Sequence, residues 1–324
     1  MARQPTAEPT TDFAEVFASV VDNIERVIQG KIEVIQLSLL CLLAEGHLLV
    51  EDVPGVGKTS LAKALAATIK CSFGRVQFTP DLLPSDVVGV NVFNRENSQF
   101  EYRPGPIFAN IVLGDEINRA SPKTQSALLE AMAENQVTVD GTTYPLDLPF
   151  MVMATQNPIE HEGTYPLPES QLDRFLMRTS IGYPARDAEL EMLDRHGDHD
   201  ALDDIGAILS VTDLQDMIAV PRTVHLAPSL KGYLVELADA TRRHPRLAVG
   251  MSPRAVLNLQ RAARTRAAAA GRNYVVPDDI KALAEPVLAH RLVVTPEAQL
   301  AGMKSRDVIS EVLRSVPVPS ARAR

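Results

Sequence analysis

Val53-Pro-Gly-Val-Gly-Lys-Thr59 stands between a short apolar run, His47–Glu51, and a helical pattern that puts Leu61, Leu65 and Ile69 on one face. Strand, glycine-rich turn and helix, in that order, are the setting of a phosphate-binding loop. Glycines let successive backbone N–H groups point into one concave nest, and the helix N-terminus adds the positive end of its dipole. The expected cradle is Val53, Pro54, Gly55, Val56, Gly57, Lys58, Thr59 and Ser60. Within it Lys58 can reach β- and γ-phosphates, and the Thr59 hydroxyl can ligate Mg²⁺. The strict pattern has glycine where this chain has Asp52, which leaves Gly55, Gly57, Lys58 and Thr59 to supply most of the cradle.

A second, independent signal lies downstream. Ile111-Val-Leu-Gly-Asp115-Glu116 is an apolar strand ending in two carboxylates. Asp115 is placed to hold the water shell of Mg²⁺, and Glu116 to polarise a water for attack on a γ-phosphate. One such acid pair often just ends a strand in solvent; an upstream phosphate loop favours the functional reading. A third apolar strand, Phe150–Thr155, runs into Gln156 and Asn157. Strand C-terminal ends of a parallel sheet face one ligand crevice, so Asn157 can hydrogen-bond an attacking water or a γ-phosphate. Alone, an asparagine before Pro158 reads as a turn residue.

Working outward, five strands are expected at His47–Glu51, Arg75–Thr79, Ile111–Asp115, Met151–Thr155 and Thr179–Tyr183, with helices such as Ser60–Lys70 and Lys123–Glu134 between them. Buried strands alternating with helices predict an α/β fold with a parallel sheet. Two hairpins interrupt it: Val137–Val139 and Thr142–Tyr144 about the Asp140–Gly141 turn, and Val90–Phe93 with Gln99–Tyr102. After Pro184 only helices are expected, at 188–193, 214–218, 229–243, 253–270 and 278–291, with Ser252 and Pro253 starting the fourth and Gly271 closing it. The predicted division is therefore a disordered tail over 1–11, an α/β core over 12–184 and an all-α domain over 185–324.

Composition narrows the function. The chain has 324 residues, 45% hydrophobic and 23% charged, with a formal net charge of -9. An acidic chain suits a nucleic-acid backbone poorly. Two cysteines, Cys41 and Cys71, make neither a disulfide framework nor a metal motif. His196 and His199, with Asp198 and Asp200, sit in a polar stretch, His196–Ile205, and read as solvated loop residues rather than metal ligands. The longest apolar run, Leu37–Ala44, falls well short of the roughly 20 residues that span a bilayer. With no signal peptide in view, a cytoplasmic protein is expected.

Longer stretches carry a resemblance. Val76–Asp86, Pro104–Phe108, Asp115–Ala120, Gln125–Glu130, Ala154–Glu160, Gly163–Glu169, Gln171–Phe175 and Ser252–Ala255 resemble the AAA+ superfamily and, within it, the MoxR family, over about residues 20–292. The resemblance implies a five-stranded P-loop core with flanking helices, a C-terminal helical lid, ATP and Mg²⁺ as ligands, and a homo-oligomeric, usually hexameric, ring. It implies ATP hydrolysis driving maturation of partner protein complexes, with von Willebrand factor A domain proteins as usual partners. Carried onto this sequence, it makes Asn157 the first sensor, Arg174 an arginine finger reaching the neighbouring subunit, and Arg254 a second sensor on the lid. Val27 and Ile28 belong to a segment that packs near adenine, in which the family has glutamine where Lys31 stands. The hairpins match the helix-2 insert and the pre-sensor-1 hairpin.

Three rivals share parts of this pattern. A DNA-acting AAA+ motor would want basic hairpins, whereas the Asp140–Gly141 tip is not basic and the other hairpin offers Arg95. A non-hydrolysing scaffold is at odds with intact Asp115, Glu116 and Asn157. A metal-chelatase-like motor subunit shares the architecture.

Overall fold

The computed structural model of the protein describes residues 9–158, 164–195 and 201–319. His196 to Asp200 and most of the expected tail lie outside them, and Pro9–Thr11 already belong to the first helix. In chain order the elements are α1 (Pro9–Glu25), α2 (Ile32–Leu43), β1 (Leu48–Glu51), α3 (Lys58–Ile69), β2 (Phe73–Gln77), α4 (Pro84–Val88), β3 (Gly89–Asn94), β4 (Gln99–Pro104) and β5 (Ile111–Asp115). Then come α5 (Pro122–Glu134), β6 (Gln136–Val139), β7 (Thr142–Pro145), β8 (Met151–Gln156), α6 (Glu169–Leu172), β9 (Met177–Thr179), α7 (Arg186–Arg195) and α8 (Val211–Thr223). The chain ends with α9 (Pro228–Arg242), β10 (Leu247–Val249), α10 (Pro253–Ala269), α11 (Pro277–Leu288), β11 (Val293–Val294), α12 (Pro296–Leu300) and α13 (Ser305–Ser315).

Among the described residues there are two compact units, one built on Ser19–Phe175 and Thr179–Gln215, the other on Asp216 onward with Leu176–Arg178 and the chain up to Ala18. The expected boundary at Pro184 thus moves to Gln215. The cause is local: the Ile208 and Leu209 N–H groups donate to Thr68 O at 2.8 and 3.1 Å, and the buried Asn23 amide donates to Thr68 Oγ1 and Gly206 O. Those bonds fasten the 206–209 segment to α3.

The central sheet has five strands in the order β2-β5-β8-β1-β9, and its β2–β5, β5–β8 and β1–β8 ladders are parallel. β1, β5 and β8 are buried along nearly their whole length, which is why they read as unbroken apolar runs rather than alternations. From β1 the chain crosses to β2, with β5 and β8 later filling the gap between them. The C-terminal ends of β1, β5 and β8 therefore bring the phosphate loop, Asp115–Glu116 and Asn157 to one edge of the sheet.

Two strands differ from the sequence expectation. The second begins two residues earlier, at Phe73, and the last is Met177–Thr179 rather than Thr179–Tyr183. Ile181 and Gly182 lie past its end, Gly182 in the left-handed region at φ 66°, and their N–H groups donate to the Asp52 carboxylate instead of to a strand. At the start of β1, buried His47 accepts the Val152 N–H at Nδ1, 3.0 Å, so the proton sits on Nε2, 3.0 Å from Met132 O. One neutral imidazole thereby ties β1 to β8 and α5. Helix α5 starts at a Ser121 cap with Pro122 in its first turn and ends at Asn135 in the left-handed region, φ 51°. Among the described residues no helix is long and apolar enough to cross a membrane. Cys41 and Cys71 are free thiols, and burial pushes the Cys71 thiol up to about 11.

The second unit is helical, with one addition the sequence did not announce: β10 and β11 pair antiparallel through Leu247 and Val294. Such short strands leave too few residues to show a period of two. Helix α10 starts as expected, the Ser252 hydroxyl accepting the Ala255 N–H at 3.0 Å, and Gly271 follows it at φ 69°. Arg272 grips Asp279 with both guanidinium nitrogens, at 2.6 and 2.8 Å, and Val276 N–H donates to the same carboxylate. The Asp279 side chain is only 3% exposed. Asp279→Ala leaves a cation and a backbone donor without their partner, and is expected to cost about 3 kcal/mol in chemical denaturation. An unchanged denaturation midpoint would contradict it.

Candidate nucleotide site

Gly55 and Gly57 sit at φ 83° and 93°, conformations that residues with a side chain rarely adopt, and Gly57 caps the N-terminus of α3. That conformation turns the loop back so that the helix N-terminus opens onto a cavity of about 790 Å³. Pro54 to Ser60 line it, together with Val27, Ile28, Asp115 and Glu116. The volume is that of a small-molecule site. Buried Lys58 points its ammonium to the Asp52 carbonyl oxygen at 2.8 Å. A glycine nest, a buried lysine and a hydroxyl at the first helical turn fit a triphosphate with its magnesium ion.

The two acids are held by a network. Asp115 Oδ1 accepts from the fully buried Thr155 hydroxyl at 2.7 Å, and Oδ2 from Arg75 at 2.8 Å. The same Thr155 oxygen accepts the Glu116 N–H at 2.9 Å, so one hydroxyl fixes both acids. Glu116 has a left-handed backbone, φ 57°, which for a residue with a side chain costs on the order of 1 kcal/mol and needs such support. Its carboxylate accepts from Gln77 and Arg119, each at 3.0 Å. The chain beyond it is braced by buried Gln125, whose amide donates to the carbonyls of Ile117, Ala120 and Tyr165.

Of the residues singled out in the sequence, the cavity gathers Val27, Ile28, Pro54 to Ser60, Asp115 and Glu116. Val53, Asn157 and Arg174 are not among its lining residues. Asn157 is buried past the end of β8, where its carbonyl accepts from Asn118 at 3.4 Å. Arg174, just after α6, donates to Leu129 O. Arg254 is the second residue of α10 in the other unit.

The sequence reading missed several residues that take part. Arg26, Lys31, Ile181, Gly182, Ala201 and Asp204 also line the cavity. Ala201 to Asp204 form a 3₁₀ turn, so part of the stretch read as a plain surface loop is cavity wall. Thr155 and Gln125 were quoted only within longer motifs. Arg75 and Gln77 carried a usable signal: two polar residues alternating at a strand end point to the same face.

Asp52, the departure from the glycine pattern, is buried. Its carboxylate accepts four donors: Val53 N–H at 2.9 Å, Ser180 hydroxyl at 3.0 Å, Ile181 N–H at 2.7 Å and Gly182 N–H at 2.6 Å. Burial pushes this carboxyl up, and the donors from Gly182, Ser180, Val53 and Ile181 more than offset it, holding it below its usual value of 3.8. With the folded value depressed, these bonds stabilise the fold above the unfolded carboxyl's range and that contribution is lost as pH falls through the folded value.

The two hairpins meet. Tyr102 of β4 stacks on Tyr144 of β7, centroids 3.9 Å apart at 14°, and Asn91 donates to Asp140 at 2.8 Å. On the β3–β4 hairpin Phe93 and Phe100 pack edge to face at 5.3 Å while remaining 49% and 72% exposed.

Residues 47–177 match the ATPase family associated with various cellular activities (AAA), and residues 239–312 match the AAA lid domain. Chaperone MoxR1 of Mycobacterium tuberculosis is 42% identical, over 98% of this chain and 88% of that protein. The chain belongs to the MoxR family of AAA+ ATPases. Protein YeaC of Bacillus subtilis is 49% identical over 96% of this chain and 98% of its own length. A crystal structure described as that of a candidate ATPase from Cytophaga hutchinsonii superposes with a TM-score of 0.90 at 40% identity, over 96% of this chain and 97% of that one. The P-loop core, its parallel sheet and the lid are thus those of a MoxR ATPase.

Proposed function

We propose that this MoxR-family chain binds ATP with Mg²⁺ in the cavity, hydrolyses it, and uses the energy to remodel or mature partner protein complexes. The observation that carries the reading is one cavity lined by a glycine-rich loop, buried Lys58 and the acid pair Asp115–Glu116. Backbone N–H groups of the loop and Lys58 hold the phosphates, and Val27 and Ile28 offer apolar surface to the base. Mg²⁺, held through Thr59 and Asp115, neutralises charge on the β- and γ-oxygens when bound. Glu116 orients and polarises the attacking water, and Asn157, as first sensor, steadies it. Arg174 is the arginine finger and Arg254 the second sensor, as the family pattern assigns them.

The place of Arg174 outside the lining of its own chain's cavity supports a finger supplied to a neighbouring subunit, hence a ring of identical chains, hexameric in the family pattern. The exposed Phe93–Phe100 pair offers an apolar contact for a client, and von Willebrand factor A domain proteins are the partners the family pattern implies. A DNA-acting motor is less well supported. The β3–β4 hairpin does carry Arg103 as well as Arg95, because β4 runs on to Pro104, but Glu96 and Glu101 balance them.

Purified protein is expected to release phosphate from ATP only when Mg²⁺ is present. Magnesium-independent release, or none under any assembly state, would sink the proposal. A finer expectation concerns Thr155. Thr155→Val keeps the shape but strips Asp115 and Glu116 of their common partner, and the Mg²⁺ concentration for half-maximal turnover is expected to rise ~10-fold. Thr155→Ser should restore it; a serine variant as poor as valine would argue against the hydroxyl.

A further inference from the structure

A phosphate loop needs no carboxylate at its entrance; glycine serves there in the strict pattern. Here the entrance residue accepts hydrogen bonds from two parts of the chain more than a hundred residues apart in sequence. Asp52 Oδ1 takes the Val53 N–H at the mouth of the loop, and Oδ2 takes three donors from Ser180, Ile181 and Gly182. Ile181 and Gly182 line the cavity, as does Lys31, whose ammonium donates to the adjacent Tyr183 carbonyl at 2.7 Å. The backbone carbonyl of Asp52 also receives the Lys58 ammonium.

The phosphates are accounted for by Pro54 to Ser60. The remaining wall, formed by Val27, Ile28, Ile181 and their neighbours, is left for the nucleoside. We propose that Asp52 is a positioning residue that sets the spacing between the phosphate loop and the Ile181–Gly182 wall, and so governs how tightly the nucleoside half of ATP is held. This rests on reading the cavity as an ATP site. The carboxylate acts because it has lone pairs enough for all four donors. An asparagine of the same size has one acceptor oxygen, and its amide N–H groups face backbone N–H groups. The wall is then released from the loop while the loop's own glycines and helix N-terminus stay as they are.

Inorganic tripolyphosphate separates the two halves, because it engages the loop and has no nucleoside. Full-length wild type and Asp52→Asn are titrated calorimetrically with ATP and with tripolyphosphate, both with Mg²⁺. The expected result is ~10-fold weaker ATP binding by the variant, with tripolyphosphate affinity within about twofold of wild type. Ser180→Ala removes one of the four donors without touching the loop and is expected to weaken ATP about threefold, again sparing tripolyphosphate. It carries the test if circular dichroism shows Asp52→Asn unfolded. Equal losses for both ligands would mean that Asp52 merely holds the loop, and unchanged ATP affinity that it positions nothing; either overturns the proposal. Wild type that binds tripolyphosphate but not ATP brings down the ATP reading itself, and this proposal with it.

Discussion

Glu116→Gln is expected to bind ATP as the wild type does and to lose hydrolysis by a factor of 10² or more, whereas Lys58→Ala loses binding itself. The two changes separate because the side chains face different tasks. The Glu116 amide would keep the size and the contact with Gln77, but it cannot draw a proton from water. Its backbone stays pinned by Thr155, so the left-handed turn survives. Lys58 is buried at the first residue of α3, and its truncation removes the one ammonium of the loop from a site that also holds Asp115 and Glu116. Calorimetric titration with ATP beside phosphate release reads both outcomes. Near-normal turnover by Glu116→Gln would remove it as the water-activating group.

Arg174→Ala is expected to bind ATP normally and hydrolyse it on the order of 10³-fold more slowly, the loss typical of a missing arginine finger. Loop and acids supply phosphate and metal ligands within one chain, but a further cation is wanted on the γ-phosphoryl oxygens. Arg174 is not among the residues lining its own chain's cavity, and in the proposed ring it would serve a neighbour's. Activity per chain should then rise with protein concentration. Mixing Arg174→Ala with Lys58→Ala, each inactive, should return part of the activity, since some interfaces would join an intact loop to an intact Arg174. Co-assembled mixtures that stay inactive, or a fully active dilute monomer, would end the shared-finger mechanism.

Much of this was legible in the sequence, for reasons that differ by element. β1, β5 and β8 are buried on both faces, so each reads as an apolar run with sharp ends, and the polar or glycine-rich residues that follow stand out in the sequence. The Asp140–Gly141 hairpin and the Ser252–Pro253 helix start were readable because turn and cap chemistry is local. The last strand was misplaced because Thr179–Tyr183 has strand composition, yet its N–H groups belong to a carboxylate more than a hundred residues away. The boundary at Pro184 moved for a like reason: Ala201 to Leu209 is short, and what returns it to α3 is a pair of backbone bonds to Thr68 that leaves no periodic trace. In the site, the residues of the loop and the acid pair that line the cavity were found, and those that hold other residues, Thr155, Arg75, Gln77 and Asp52's partners, were not. Support of that kind depends on which side chains the fold brings near, and spacing along the chain does not encode it.

The Tyr102–Tyr144 stack makes a single stiff body of two inserts that are separate in the chain. Ring stacking of this sort adds about 0.5–1.5 kcal/mol beyond area, and the Asn91–Asp140 bond sits at a second point, so the pair resists hinging as well as sliding. One end of that body is the aromatic tip; the other is continuous with α5, whose Gln125 grips the chain just past Glu116. A load on the tip therefore has a path, through the stacked tyrosines and β6, to the same helix that braces the chain beyond Glu116.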